Sequence, residues 1–347
     1  MRFRHHGVPL LLCFGLVACA PPAPQWTDPS PHKVHSVTVE NGVQLEVLEW
    51  GGSGRPIVLL AGSGNSAHVF DGFAEKLTGF GRVYGITRRG YGNSSHPDSG
   101  YTEGRLAEDV RQVLDSLKIY APVLVGHSMA GEEMTRLATE HPGRVAGLVY
   151  MDAAADPTDS PSSSSEYQDL LKKLPEPLRT PPAPDLKSFQ AYRESQIARG
   201  DPPFPESELR NIYETTEDGS VGGFRSTKAI HDAIDAGALK RDYSRLRVPV
   251  LAFFTVPCAK GWQGYGYACI IHAETKPKYL PKNDEERAAV QNFEAATAAY
   301  VNRWKKNLQT AQASVRIVDL PDANHYLFLS NERDVVSELR QFVANLK

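Results

Sequence analysis

The sequence predicts an α/β fold with a mostly parallel, doubly wound sheet, an antiparallel hairpin at its start and a helical insertion before its last strands. Three observations carry this reading. Short continuous apolar runs recur along the chain, as strands buried on both faces require. Segments of helical spacing lie between them, which is the pattern of strand–helix–strand units. The alternation then breaks after position 152 and resumes near position 247. A chain of 347 residues with 41% hydrophobic residues and a formal net charge of −3 is large enough for one sizeable core, and its charge balance does not point to nucleic acid.

Taken in order, Val34 to Val39 alternates apolar and polar, Asn41-Gly42 is a strong hairpin turn, and Val43 to Leu48 alternates again. After Gly51-Gly52-Ser53-Gly54 come buried-type strands at Ile57 to Ala61, Val83 to Thr87, Val123 to Val125 and Val145 to Met151. Helical spacing fills Val69 to Leu77, Leu106 to Leu117 and Met129 to Thr139. From Ala153 to Leu246 the chain is polar and proline-rich, with helical stretches at Glu166 to Leu174, Leu186 to Ala198, Glu206 to Glu214 and Ser226 to Leu239. This reads as a helical insertion into the core and not as a domain with its own sheet. The sheet resumes with Val250 to Thr255, a long helix from Asn283 to Leu308, a strand from Val315 to Leu320 and a last helix from Glu332 to Leu346.

The N-terminus reads as an export signal. Val8 to Ala18 is apolar, follows Arg2 and Arg4, and is too short to span a bilayer. Leu16-Val17-Ala18-Cys19 looks like a bacterial lipobox, which would place a lipid anchor on Cys19. The rival is ordinary cleavage at Ala18-Cys19-Ala20, which would leave Pro21 directly after the scissile bond, a disfavoured position. The expected organisation is a signal peptide over 1–18, a flexible tether over 19–33, core over 34–152 and 247–347, and a lid insertion over 153–246. An exported chain meets an oxidising compartment, so Cys258 and Cys269 are expected to form a short-loop disulfide. With only His272 nearby they make a poor zinc set.

Pro122-Val123-Leu124-Val125-Gly126-His127-Ser128-Met129-Ala130-Gly131 is a buried strand entering a helix through Gly-x-Ser-x-small. A sharp strained turn of this kind lifts the serine hydroxyl clear of the sheet, and it tolerates only small flanking residues. Here the chain resembles the α/β-hydrolase superfamily, from about Val34 to Lys347, with Ala130 in place of the usual second glycine. The resemblance implies a serine hydrolase with Ser128 as nucleophile. It also implies that Leu60-Ala61-Gly62-Ser63-Gly64 supplies oxyanion donors, from the amides of Ser63 or Gly64 together with Met129. Family members commonly carry histidine where this chain has Ala61, which leaves open how the loop is braced. Arg88-Arg89-Gly90-Tyr91 matches a loop that is chiefly structural in the family.

His325, after the last strand and before the last helix, holds the family's histidine position. The other histidines are N-terminal, as His32 is, end a helix, lie in the insertion, or lack a strand to aim them. His127 is set aside because its side chain points away from the serine hydroxyl. The chain order nucleophile, acid, histidine confines the acid to positions between Ser128 and His325. Beyond Val250 to Thr255 no carboxylate appears before Glu274, whereas Asp152 directly ends the preceding strand. Some α/β-hydrolases, including certain haloalkane dehalogenases and pancreatic-type lipases, carry their acid there. Asp152 is therefore the leading assignment, with Glu274 and the insertion acids Asp232 and Asp235 as alternatives.

The expected activity is hydrolysis of a small-molecule carboxylic ester through an acyl-enzyme, with no metal or organic cofactor. The alternatives are thioester, lactone, amide or carbon–carbon cleavage, or a non-catalytic binding lipoprotein. Trp262, Tyr265 and Tyr267 are candidates for the mouth of the site. Oligomeric state is not legible.

Overall fold

The computed structural model describes residues 26–161, 164–180, 182–199, 201–256, 281–312, 314–321 and 323–346. The expected disulfide of Cys258 with Cys269, the alternative acid Glu274, the aromatics Trp262, Tyr265 and Tyr267, and the signal with Cys19 all lie outside the described residues.

The chain opens with β1 (Lys33–Thr38) and β2 (Gln44–Gly51), then β3 (Pro56–Leu60), α1 (Asp71–Leu77), β4 (Arg82–Ile86) and α2 (Glu103–Ser116). There follow β5 (Val123–His127), α3 (Ala130–Glu140) and β6 (Gly147–Met151). The insertion contributes α4 (Ser165–Lys173), α5 (Glu176–Arg179), α6 (Phe189–Arg199), α7 (Glu206–Ile212), β7 (Tyr213–Thr215), β8 (Val221–Phe224) and α8 (Lys228–Ala236). The core closes with β9 (Val250–Val256), α9 (Asp284–Ala311), β10 (Arg316–Pro321), α10 (Leu327–Ser330) and α11 (Glu332–Ala344). Among the described residues no helix is long and apolar enough to cross a membrane.

Among the described residues, eight strands form one sheet in the order β1-β2-β4-β3-β5-β6-β9-β10. β1 and β2 pair antiparallel, as do β2 and β4, and the remaining neighbours are parallel. The hairpin turn takes the shape its residues favour, with Asn41 at φ 62° and Gly42 at φ 74°. Each face of the sheet has its own apolar layer. Leu60, Leu124, Leu148 and Tyr150 pack with residues of α2, α3 and α9, while Leu59, Val125, Val149 and Phe253 pack with residues of α1 and α11. Strands covered on both faces must be apolar at successive positions, which is why their sequences read as continuous runs.

The insertion differs from its reading in one respect. It carries the two-stranded antiparallel sheet β7-β8 where a helix was expected through Glu214. α7 stops at Ile212, and Asp218-Gly219, with Gly219 at φ 83°, makes the return turn. An Asp-Gly dipeptide beside Tyr213, Thr215 and Thr216 is a hairpin signal that the helical periodicity outweighed in the sequence.

Candidate active site

Ser128 sits between β5 and α3 with φ 53°, a left-handed conformation that costs a non-glycine residue energy. The turn closes only because its neighbours are small. A Cβ at Gly62 would stand 3.1 Å from the Ser128 Cβ, and one at Gly126 would meet Met134 Sδ at 2.7 Å. Ala130 is accommodated because it faces the bare Gly126, whereas a Cβ at Gly131 would run into the Ala153 carbonyl oxygen. The glycine this elbow needs has thus moved one residue along.

Asp152, at the end of the adjacent β6, also adopts a left-handed φ of 47°. Its Oδ2 lies 2.7 Å from His325 Nδ1. Thr255, at the end of β9, donates from Oγ1 to the same oxygen at 3.0 Å and from its amide to Oδ1 at 3.4 Å. The strand that carries no acid therefore supplies the groups that orient one. Sequence reading missed Thr255, and a hydroxyl at that strand end was its only signal.

Behind His325, its backbone carbonyl accepts from His127 Nε2 at 3.0 Å. Burial first, and the nearby His325 ring second, hold His127 well below the usual imidazole range, so it serves as a neutral donor. Through this contact His127 pins the histidine loop.

The glycine loop after β3 is braced by Arg88. Its guanidinium donates to the Ala61 carbonyl at 2.9 Å and grips Glu133 of α3 with contacts of 2.9 and 2.7 Å. Both members of the pair are buried. From the insertion, Glu208 accepts from Asn65 Nδ2 at 2.9 Å, from the Ser66 amide at 3.1 Å, and from the Ser66 hydroxyl. Tyr326 donates to Asn65 Oδ1 at 3.1 Å and so ties the loop to the residue after His325.

Ser63, Ser128, Met129, Asp152 and His325 line one cavity of about 270 Å³. Met129 is the N-terminal flanking residue of α3, so its amide belongs to a helix end whose first donors have no intrahelical carbonyl. Gly64 is not on the cavity wall: its backbone, at φ 79°, faces Phe224 and His231 of the insertion. Of the alternative acids, Asp235 reaches the wall, while Asp232 pairs with Lys228 at 2.6 Å. Three further parts of the wall went unrecognised in the sequence. Val301 and Trp304 come from α9, where they read as ordinary core spacing. Glu132, in the first turn of α3, is pushed up to about 7 by burial, with Arg241 working against that shift.

With this geometry established, comparison with known proteins places the chain. Residues 57–339 match the Alpha/beta hydrolase family. A putative non-heme haloperoxidase from Mycobacterium phage D29 is 34% identical over 124 residues, 35% of this chain and 44% of that protein. A haloalkane dehalogenase from Agrobacterium fabrum (strain C58 / ATCC 33970) is 30% identical over 158 residues, 44% of this chain and 51% of that protein. The chain thus spans about half the length of these curated relatives. The solved esterase RhEst1 from Rhodococcus sp. ECU1013 superposes with a TM-score of 0.56 at 18% identity, covering 91% of this chain and 100% of that one, a likeness of fold. By the extent of the family match, which covers most of the chain, it belongs to the alpha/beta hydrolase family.

Proposed function

We propose that the protein is a serine hydrolase that cleaves a small-molecule carboxylic ester through an acyl-enzyme. The observation that carries this reading is the 2.7 Å contact of His325 Nδ1 with Asp152 Oδ2 on the wall of the same cavity as Ser128. In this reading Ser128 Oγ attacks the ester carbonyl carbon as its proton passes to His325 Nε2, and Asp152 stabilises the imidazolium through Nδ1–H. The amides of Ser63 and Met129 receive the developing oxyanion. Collapse of the tetrahedral intermediate expels the alcohol, which takes the proton from His325. Water then attacks the acyl-Ser128 ester with His325 again as base, releasing the acid and restoring the serine.

The haloalkane dehalogenase similarity does not redirect the proposal, because the attacking position in this chain is a serine and not a carboxylate. The insertion acts as a lid, supported by Ala155, Asp156 and Arg241 on the cavity wall. Export, with a lipid anchor at Cys19, belongs to the same proposal and is supported by the apolar run before that cysteine. A panel of acyl esters of graded chain length tests the central activity. The wild type is expected to hydrolyse a subset, with Ser128→Ala slower by about 10⁶-fold in kcat. Equal rates in the two proteins would sink the esterase reading.

A further inference from the structure

Outside the candidate active site, four residues from two segments of the chain converge: Asp28, His32, His68 and Asp71. One ligating atom from each lies within 4.8 Å of the others. His68 follows the glycine loop on a short helical turn, Asp71 begins α1, and Asp28 and His32 belong to the extended segment that leads into β1. His68 and Asp71 are buried, with relative exposures of 4% and 3%.

We propose that these four side chains form a structural zinc site that clasps the N-terminal segment to the core. Two imidazoles and two carboxylates form a nitrogen–oxygen donor set suited to zinc. With metal–ligand bonds of about 2.0–2.1 Å, donors at the corners of a tetrahedron stand about 3.3 Å apart. His68 Nδ1 lies 3.3 Å from Asp28 Oδ2 and 3.3 Å from Asp71 Oδ2, and His32 Nε2 lies 3.7 Å from Asp28 Oδ2. His68 Nδ1 is buried and aimed between the two carboxylate oxygens, yet it makes no hydrogen bond of proper geometry to either.

The outer contacts complete the pattern, since metal-bound histidines hand their second nitrogen to an acceptor and bound carboxylates are themselves hydrogen-bonded. His32 Nδ1 stands 2.8 Å from Asp71 Oδ1, and His68 Nε2 stands 3.4 Å from Glu46 Oε1. Trp50 Nε1 donates to Asp71 Oδ1 at 3.2 Å, Ser207 Oγ donates to Asp71 Oδ2 at 2.5 Å, and the Ser30 amide donates to Asp28 Oδ1 at 2.9 Å. Glu46 is satisfied in its turn by Thr87 at 2.8 Å and Asn93 at 2.9 Å. All four ligand positions are filled by protein, as in structural zinc sites, so the ion fixes geometry and takes no substrate.

Titration of zinc into the chelator-treated full chain tests this, with cobalt(II) substitution as a spectroscopic check. One zinc per chain is expected, with a rise in Tm and the intense visible absorption of tetrahedral cobalt. Asp28→Asn and His32→Ala, both in the N-terminal segment, should each weaken zinc by at least 10–100-fold and abolish the cobalt bands. His35→Ala, whose ring pairs with Glu49 at 2.9 Å outside the cluster, should bind as the wild type does. Absence of zinc binding, or binding of unchanged strength in both cluster variants, overturns the site and leaves a clasp of imidazoles on carboxylates. Because this readout is independent of ester turnover, failure of the zinc site and failure of the hydrolase reading are distinguishable.

Discussion

Asp152 is supported from two sides, by His325 at 2.7 Å and by the Thr255 hydroxyl at 3.0 Å, and the two supports predict different losses. Asp152→Asn removes the charge that steadies the imidazolium and presents the wrong hydrogen-bonding partner to Nδ1, so kcat should fall by about 10⁴-fold. Thr255→Val removes one neutral donor worth about 1 kcal/mol, so kcat should fall by roughly five- to tenfold while His325 keeps its partner. Steady-state kinetics of both variants on one ester provide the check, and a Thr255→Val loss as large as that of Asp152→Asn would contradict this division of labour. That Ser128, Asp152 and His325 would meet was legible in the chain because the order of strands limits where each can stand. Thr255 and His127 could not, because their partners lie 103 and 198 residues away and only sheet register brings them together.

At the scale of elements, the elbow depends on how β5, α3 and the loop after β6 close on one another. Gly131 is where α3 passes the Ala153 carbonyl oxygen, so Gly131→Ala forces the helix and the strand end apart. Overpacking of this kind costs about 1–3 kcal/mol and also displaces Asp152, the residue before Ala153. Gly143→Ala is a useful contrast. A Cβ there meets nothing within 4 Å, although its φ of 90° carries a strain cost of its own without touching the site. Urea unfolding should show Gly131→Ala destabilised, and turnover should fall in that variant alone. Most strands and helices of the core were legible because continuous apolar runs and a 3.6-residue spacing differ sharply, the short α10 being missed. In the insertion, a short hairpin over Tyr213–Phe224 replaced the end of a helix expected through Glu214, because an Asp-Gly turn outranked a brief helical spacing. The bracing of the glycine loop without a histidine was also illegible, since Arg88 and Glu133 stand 45 residues apart and meet only in the folded chain.

For the molecule as a whole, parallel strands bring the ends of β5, β6, β9 and β10 to one edge of the sheet, where Ser128, Asp152, Thr255 and His325 follow in strand order. This is the crevice outside the carboxyl ends of the strands, where ligands of open α/β sheets bind. The insertion reaches the same edge, with Arg241 on the cavity wall and Glu208 under the glycine loop, so core and insertion are linked through the site itself. Among the described residues, the zinc cluster would tie the N-terminal segment to α1 and to the helical turn that follows the same loop. The central claim, that Ser128 is activated by His325 and Asp152, is tested most directly by reaction with a fluorophosphonate followed by peptide mapping. One phosphonyl group per chain on Ser128 is predicted, with labelling abolished in Ser128→Ala and strongly slowed in Asp152→Asn. An unlabelled wild type, or a label on any other residue, would contradict it.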